Sequence, residues 1–388
     1  MQKIIDNVYY IGSYDKERKI FDELMPLSEG TTYNSYVVKG DKKTAIVETV
    51  YFKKADEYVK RLIDNNINVD YIIANHGEQD HTGAIGKVLE QFPNALVVTN
   101  KKVADNIISM LNIPSEKIKL IEDGEELSLG NKTLRFKFAP FVHWPDTMFT
   151  YLVEDNILFT CDFLGAHNTT CENIFADYSE NLISCAKKYY AEIMMPFRKF
   201  AAQYTDYVIE LAPKIVLPSH GPIYDNPKFI LDLYKKWTSD ETEKLVVISY
   251  VSMYGSTKLM VDYLKEKVEK EGFNVKEYDM VNVDTCAFAS DLVEACSVIF
   301  ASPMVLAAPH PFALIGALLV NALRPKIKSY GVIGSYGWGG VLAGTYDKLI
   351  STIKPTKLGE VVVKGLPQDV DYKKLDDIAK QIVESCNN

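Results

Sequence analysis

Residues 76–81 read HGEQDH and follow the apolar run DYIIAN, so four groups able to bind a metal sit just past a buried strand. The chain has only six histidines, and two more follow apolar runs in the same way: His143 after RFKFAPFV and His220 after KIVLPS. Asp162 follows NILFTC. Strand ends in a layered α/β fold converge on one edge, so His76, Glu78, Asp80, His81, His143, Asp162 and His220 could meet in a single site. Seven ligands exceed the four of a structural zinc site. They suit two metals, each with three terminal ligands and a shared carboxylate bridge. His167, five residues past Asp162, is a candidate to support a ligand from behind. His310 has no such neighbours.

At 388 residues the chain has room for two or three domains at about 150 residues each. Residues 1–240 begin with strands: NVYYIGSY, then NSYVVKGDKKTAIVETV, turned at Gly40-Asp41. A strand–helix alternation follows, with KKADEYVKRLIDNN and KVLEQF helical by spacing. The polar run TSDETEK serves as a linker. Residues 245–388 then alternate regularly: strands KLVVISY, NVKEYDM, SVIFAS, SYGVIGSY and GEVVVKG, with helices STKLMVDYLKEKVEKEG, YDKLISTI and KKLDDIAKQIVES. That order predicts a doubly wound parallel sheet.

Composition narrows the partners. With 47% hydrophobic and 24% charged residues the chain can bury proper cores. No apolar run reaches the roughly 18 residues of a membrane helix, and the N-terminus lacks signal-peptide architecture. A net charge of −9 without blocks argues against nucleic acid and anionic membranes. The cysteines (Cys161, Cys171, Cys185, Cys286, Cys296 and Cys386) show no CxxC and no disulfide framework, so reduced thiols in a cytoplasmic protein are expected.

The pattern His-x-Glu-x-Asp-His, with 61 residues to His143, 18 to Asp162 and 57 to His220, resembles the flavodiiron proteins, or A-type flavoproteins. The resemblance covers essentially the whole chain and includes GTTYNSY at 30–36. It implies a metallo-β-lactamase-like αββα sandwich (1–240) followed by a flavodoxin-like FMN-binding domain (245–388). Residue by residue, it implies one iron on His76, Glu78 and His143 and another on Asp80, His81 and His220, with Asp162 bridging. A hydrolytic zinc site would carry a histidine where this chain has Glu78. Anionic oxygen donors instead stabilise an oxidised iron pair.

The second domain offers an electron source. VSMYGST, before a helix, resembles the flavodoxin phosphate loop. Hydroxyls of Ser252, Ser256 and Thr257, with amides around Gly255, would cradle a phosphate, flanked by Met253 and Tyr254. Two further strand ends, Ser302, Pro303, Met304 and Val305, then Ser335, Tyr336, Gly337, Trp338, Gly339 and Gly340, stand where ring-binding loops should be. Trp338 offers a flat face to an isoalloxazine. Two features depart from the family. Its 301–305 loop runs on into polar residues, whereas VLAAPHPF is mostly apolar. Its early histidine near the diiron pocket is missing, and FDELMPL (21–27) stands in that region.

The resemblance implies a flavodiiron oxidoreductase: FMN passes electrons to a non-haem diiron centre that reduces O2 to water, NO to N2O, or both. It implies a head-to-tail homodimer, alone or as a dimer of dimers. A separate donor is also implied, either rubredoxin or reduced coenzyme F420, since the chain ends after one flavodoxin-sized domain. Three alternatives stay open: a dinuclear zinc hydrolase fused to a flavodoxin, an electron-transfer flavoprotein without gas chemistry, and a gas sensor.

Overall fold

The computed structural model describes residues 1–169, 173–339 and 342–387. It divides into two compact units, Met1–Thr238 and Ser239–Asn388. In the first, a seven-stranded sheet runs in the order Gln2–Ile5, Val8–Tyr10, Tyr36–Lys39, Thr44–Val47, Tyr71–Ile73, Leu96–Thr99, Ile118–Leu120. Its first half is antiparallel hairpins and its second half parallel. A five-stranded sheet, Glu126–Ser128 through Ile215–Pro218, is antiparallel except for its last pair.

Alternation along the strands builds the layers. Tyr36, Val38, Ala45 and Val47 point between the sheets and meet Phe136, Met148, Leu152 and Phe159. Their neighbours Val37, Ile46, Ile72 and Val97 point outward and are covered by Tyr58, Leu62, Val88 and Ile107 from helices. Phe149 and Phe163 of the second sheet side stack near Tyr204 and Tyr234 of its own helices. The result is an αββα sandwich whose inner strands are buried on both faces.

The second unit is a parallel sheet ordered Asn274–Asp279, Leu245–Tyr250, Ser297–Val305, Ser329–Tyr336, Thr356–Lys364. This is a flavodoxin-like arrangement, with crossover helices including Ser256–Lys270 and Asp369–Asn387.

Three features differ from expectation. NVYYIGSY is not one strand: Val8–Tyr10 joins the large sheet, while Ser13–Asp15 pairs with Thr31–Tyr33. The break falls at Gly12, where a Cβ would come within 2.4 Å of the Tyr33 carbonyl. Helix Pro311–Leu323 is also new, because PFALIGALLVNAL is apolar on every side and shows no period. The expectation of reduced thiols fails for one pair. Cys296 and Cys386 are joined as a disulfide with Cα atoms 5.6 Å apart, while Cys161, Cys185 and Cys286 are buried outside that link. Ninety residues separate the pair, and only the crossover topology brings them together. Cys171 lies outside the described residues.

Candidate metal centre

The seven residues converge. Strand Tyr71–Ile73 delivers His76, and the short helix Gln79–Thr82 turns Asp80 and His81 back over it. His143 comes from the segment after Thr133–Phe138, Asp162 directly follows Ile157–Cys161, and His220 follows Ile215–Pro218. The donor atoms of His76, Glu78 and His143 lie within 4.8 Å of one another, as do those of Asp80, His81 and His220. Asp162 stands between the groups. Its Oδ2 is 3.7 Å from His76 Nε2 and 3.6 Å from His143 Nε2, whereas its Oδ1 is 3.1 Å from His81 Nε2 and 3.3 Å from His220 Nε2. Glu78 Oε2 closes the first group, 3.1 Å from His76 Nε2 and 3.6 Å from His143 Nε2.

The ligand nitrogens are aimed from behind. His76 Nδ1 donates to Asp146 Oδ1 at 2.8 Å, and His220 Nδ1 donates to the Thr32 carbonyl at 2.6 Å. His81 Nδ1 lies 3.8 Å from Glu48 Oε2. With Nδ1 engaged, His76 and His220 each leave Nε2 for the centre. Asp146 also accepts from Gly77 N and Asn106 Nδ2. A Cβ at Gly77 would come within 2.8 Å of both Asn106 and Asp146, so the second position of HGEQDH has to be glycine. The segment GTTYN threads beside the His220 loop: Thr32 Oγ1 accepts from Gly221 N, and Asn34 Nδ2 donates to the Pro218 and Gly221 carbonyls. Tyr189, where helix Glu180–Tyr189 widens into a π turn, donates from its hydroxyl to Asp162 Oδ1 at 3.0 Å.

Charge and burial fit a metal pair. Both Asp80 oxygens and His81 Nε2 are buried with no hydrogen-bond partner, an arrangement that costs free energy unless a cation accepts those lone pairs. Burial opposes charge on every group here, yet the groups charge one another. His81 and His220 hold Asp162 well below the ordinary carboxylate range. Hydrogen bonds from His143 and His76 do the same to Glu78. The Asp162 and Asp80 carboxylates raise His81 to about 9 and His220 to about 10. Burial pushes the Glu48 carboxyl up to about 7. His167 lies beside the centre, not in it: its Nδ1 is 2.9 Å from Thr31 Oγ1 and its ring 5.5 Å from that of His220. His310 caps helix Pro311–Leu323 by accepting from Phe312 N.

Glu48, Asp146, Tyr189 and the Thr32 carbonyl were not singled out in the sequence. Glu48 ends the apolar strand AIVET as the ligands end theirs, and Asp146 follows His143 by three residues; both carried a readable signal. Tyr189 carried none.

In the second unit a cavity of about 580 Å³ opens at the C-terminal ends of the strands. Ser252, Met253, Tyr254, Ser256, Thr257, Pro303, Met304, Val305, Ser335, Tyr336, Gly337 and Trp338 line it, joined by the unexpected Leu306 and Gly365. Gly255 sits at φ +92° as the residue before helix Ser256–Lys270, with open space where a Cβ would stand. Ser302 is turned inward, its hydroxyl donating to the Pro303 carbonyl and accepting from His310 N. Gly339 does not line the cavity, and Gly340 lies outside the described residues.

Comparison with known proteins gives the lineage. The chain is 31% identical to a nitric oxide reductase of Moorella thermoacetica over 98% of its own length and 97% of that protein's. It is 32% identical to the flavo-diiron protein FprA2 of Clostridium acetobutylicum over 98% and 99%. The chain belongs to the flavodiiron proteins. Residues 31–221 of this flavodiiron chain match the family described as ODP family beta lactamase. Its structure superposes on the rubredoxin oxygen:oxidoreductase of Desulfovibrio gigas with a TM-score of 0.94 at 27% identity, covering 100% of this chain and 98% of that one. A coenzyme F420H2 oxidase of Methanothermobacter marburgensis is 30% identical over 90% of each chain.

Proposed function

We propose that this flavodiiron protein is an oxidoreductase that reduces O2 to water, NO to N2O, or both, at a diiron centre fed by FMN. The observation that carries the reading is Asp162, whose two oxygens divide between two ligand groups. One iron would rest on His76, Glu78 and His143, the other on Asp80, His81 and His220. When bound, FMN would supply electrons and the iron pair would bind the gas and pass electrons to it. The chain's own residues do the rest. Asp146 and the Thr32 carbonyl hold His76 and His220 in the tautomer that presents Nε2. The Tyr189 hydroxyl fixes the rotation of Asp162. Phe21, whose ring lies 4.5 Å from that of His167 and 5.9 Å from that of His220, screens this side from water. Glu78 is one-quarter exposed and His143 less so, which marks the side from which a small gas enters.

For FMN, the amides around Gly255 and the hydroxyls of Ser252, Ser256 and Thr257 suit a phosphate at a helix N-terminus. Trp338 and Tyr254 suit the ring, and both are strongly exposed at the cavity mouth, at 69% and 90%. Such a mouth favours a head-to-tail homodimer, or a pair of such dimers, in which a second subunit covers the flavin. The donor is a separate protein or cofactor: rubredoxin, by likeness to the Desulfovibrio enzyme, or reduced coenzyme F420, by likeness to the Methanothermobacter oxidases. No helix among the described residues is long and apolar enough to cross a membrane, in keeping with work in the cytoplasm.

The test supplies reduced rubredoxin, then reduced F420, to protein loaded with iron and FMN, and follows O2 and NO consumption separately. Turnover of either gas supports the reading. Loss of neither gas, with zinc in both positions, would favour the hydrolase instead.

A further inference from the structure

The flavodoxin-like unit carries a covalent link that the proposed electron path does not use. Cys296, fully buried, immediately precedes strand Ser297–Val305. Cys386, half-buried, lies in the last turn of helix Asp369–Asn387. Lys328 touches both: its backbone N–H donates to the Cys296 carbonyl at 2.8 Å, and its Nζ donates to the Cys386 carbonyl at 3.4 Å. The hydroxyls of Ser385 and Ser329 meet at 2.7 Å beside them. This end of the sheet is the N-terminal end of its strands. Pro303, Met304 and Val305, at the other end of the same strand, line the flavin cavity roughly 23–30 Å away at about 3.3 Å per residue.

We propose that Cys296 and Cys386 are a redox modification site, a dithiol that hydroperoxides oxidise to the disulfide and small dithiols reduce again, clasping the C-terminal helix to the sheet. The asymmetry of the pair makes it workable. The last turn of a terminal helix opens more readily than the core, so the Cys386 sulfur reaches solvent while Cys296 stays sheltered. The Lys328 ammonium, hydrogen-bonded to the Cys386 carbonyl, brings a positive charge to that turn. The Cys386 thiolate attacks a peroxide oxygen; the O–O bond breaks, the alcohol leaves with a proton from solvent, and a sulfenic acid remains. The Cys296 thiol then attacks that sulfur, and the S–S bond forms as water leaves. Two thiols are thereby oxidised and one hydroperoxide is reduced. In reverse, a dithiol attacks the Cys386 sulfur and releases Cys296 as a thiol. Its second thiol then closes its own disulfide and frees Cys386.

What the clasp secures is the helix itself. Leu375, Ile378 and Ile382 of that helix share a core with Cys296, Ile299 and Ile333. Closing the link restrains its final turns without touching the flavin cavity.

The test uses flavin- and metal-loaded protein prepared anaerobically, treated with hydrogen peroxide or left alone, then alkylated and mapped by mass spectrometry without reduction. Amide exchange over residues 380–387 is followed in both forms. Peroxide should convert the pair to a 296–386 cross-link, dithiothreitol should reopen it under native conditions, and exchange should be at least about tenfold slower in the closed form. Cys386→Ser should abolish both effects and leave FMN content and gas reduction unchanged. It is the variant of choice, since the buried Cys296 is the riskier position to alter. Thiols that survive peroxide, a bond that resists dithiothreitol in the folded protein, or equal exchange in the two forms would each overturn the proposal.

Discussion

The two sites of this chain are built on opposite plans. The proposed metal centre is largely buried and made of side chains, with three of its seven residues fixed by a further partner: His76 by Asp146, His220 by the Thr32 carbonyl, Asp162 by Tyr189. The proposed flavin cavity is open and made of loop backbone, small hydroxyls and exposed aromatics. A charged pair of ions in a dry site needs ligands held before it arrives, because each unpaired buried group is costly. A flavin brings its own apolar surface and phosphate, so a helix terminus and a flat ring suffice. Damage at the first site should therefore propagate through hydrogen bonds, and damage at the second should stay local.

The largest expected effect comes from the residue that joins both ligand groups. Asp162→Ala should lower iron to one per chain or less and cut gas reduction by more than about a hundredfold, with FMN content unchanged. Metal analysis and flavin absorbance on the same sample check this; a parallel loss of FMN would show that the two sites are not independent. Next in size is Asp146→Ala, which removes a group that never meets the metal. It should weaken metal retention about 10- to 100-fold in a chelator titration. Asp146→Asn, which keeps an acceptor oxygen for His76, should do less. Equal effects from both substitutions would point to lost packing instead of a lost hydrogen bond.

These residues also mark what a sequence can reveal. The convergence of the seven residues was legible because they stand at or just past the ends of apolar strands, and such ends converge in a layered fold. Glu48 obeyed the same rule and was still missed, because a single carboxylate ending AIVET has no partner nearby in sequence. Tyr189 reaches Asp162 from a helix 27 residues on, and no local pattern encodes that reach. Likewise, Pro311–Leu323 has the composition of a buried helix but no polar face to set a period, so periodicity could not find it. The turn before helix Ser256–Lys270 was readable because glycine and hydroxyls before a helix have a local reason to be there. The Cys296–Cys386 link was not, because it depends wholly on tertiary wrapping.

A smaller effect should separate the plans from the flavin side. Gly255 occupies a left-handed conformation that costs an alanine about 1–2 kcal/mol, and its Cβ would meet nothing within 4 Å. Gly255→Ala should therefore weaken FMN binding by up to about five- to thirtyfold, read by flavin fluorescence, and leave metal content intact. A metal loss here would break the claim that flavin-site damage stays local.

The smallest effect is a slope with pH, and it belongs to the metal centre alone. In metal-free protein, His81 near 9 and His220 near 10 stand above the ordinary imidazole value of 6.5, so the folded state favours their charged forms. That stabilisation is complete below about pH 6.5 and drains away as pH rises through 9 and 10. Glu48, raised to about 7, acts in the same direction, because ionising it costs more in the folded state. Asp162 and Glu78, both lowered, oppose this only at the acid end, losing their contribution as pH falls below the ordinary carboxylate range. The Tm of metal-free protein should thus decline steadily from about pH 6.5 to 10. Metal on the same Nε2 atoms displaces those protons and should flatten the decline, so the gap between loaded and metal-free Tm widens with pH. Removing FMN should leave the slope unchanged, since no histidine or carboxylate among the described residues lines the proposed flavin cavity. Parallel slopes with and without metal would mean that the imidazoles are not where the ions bind.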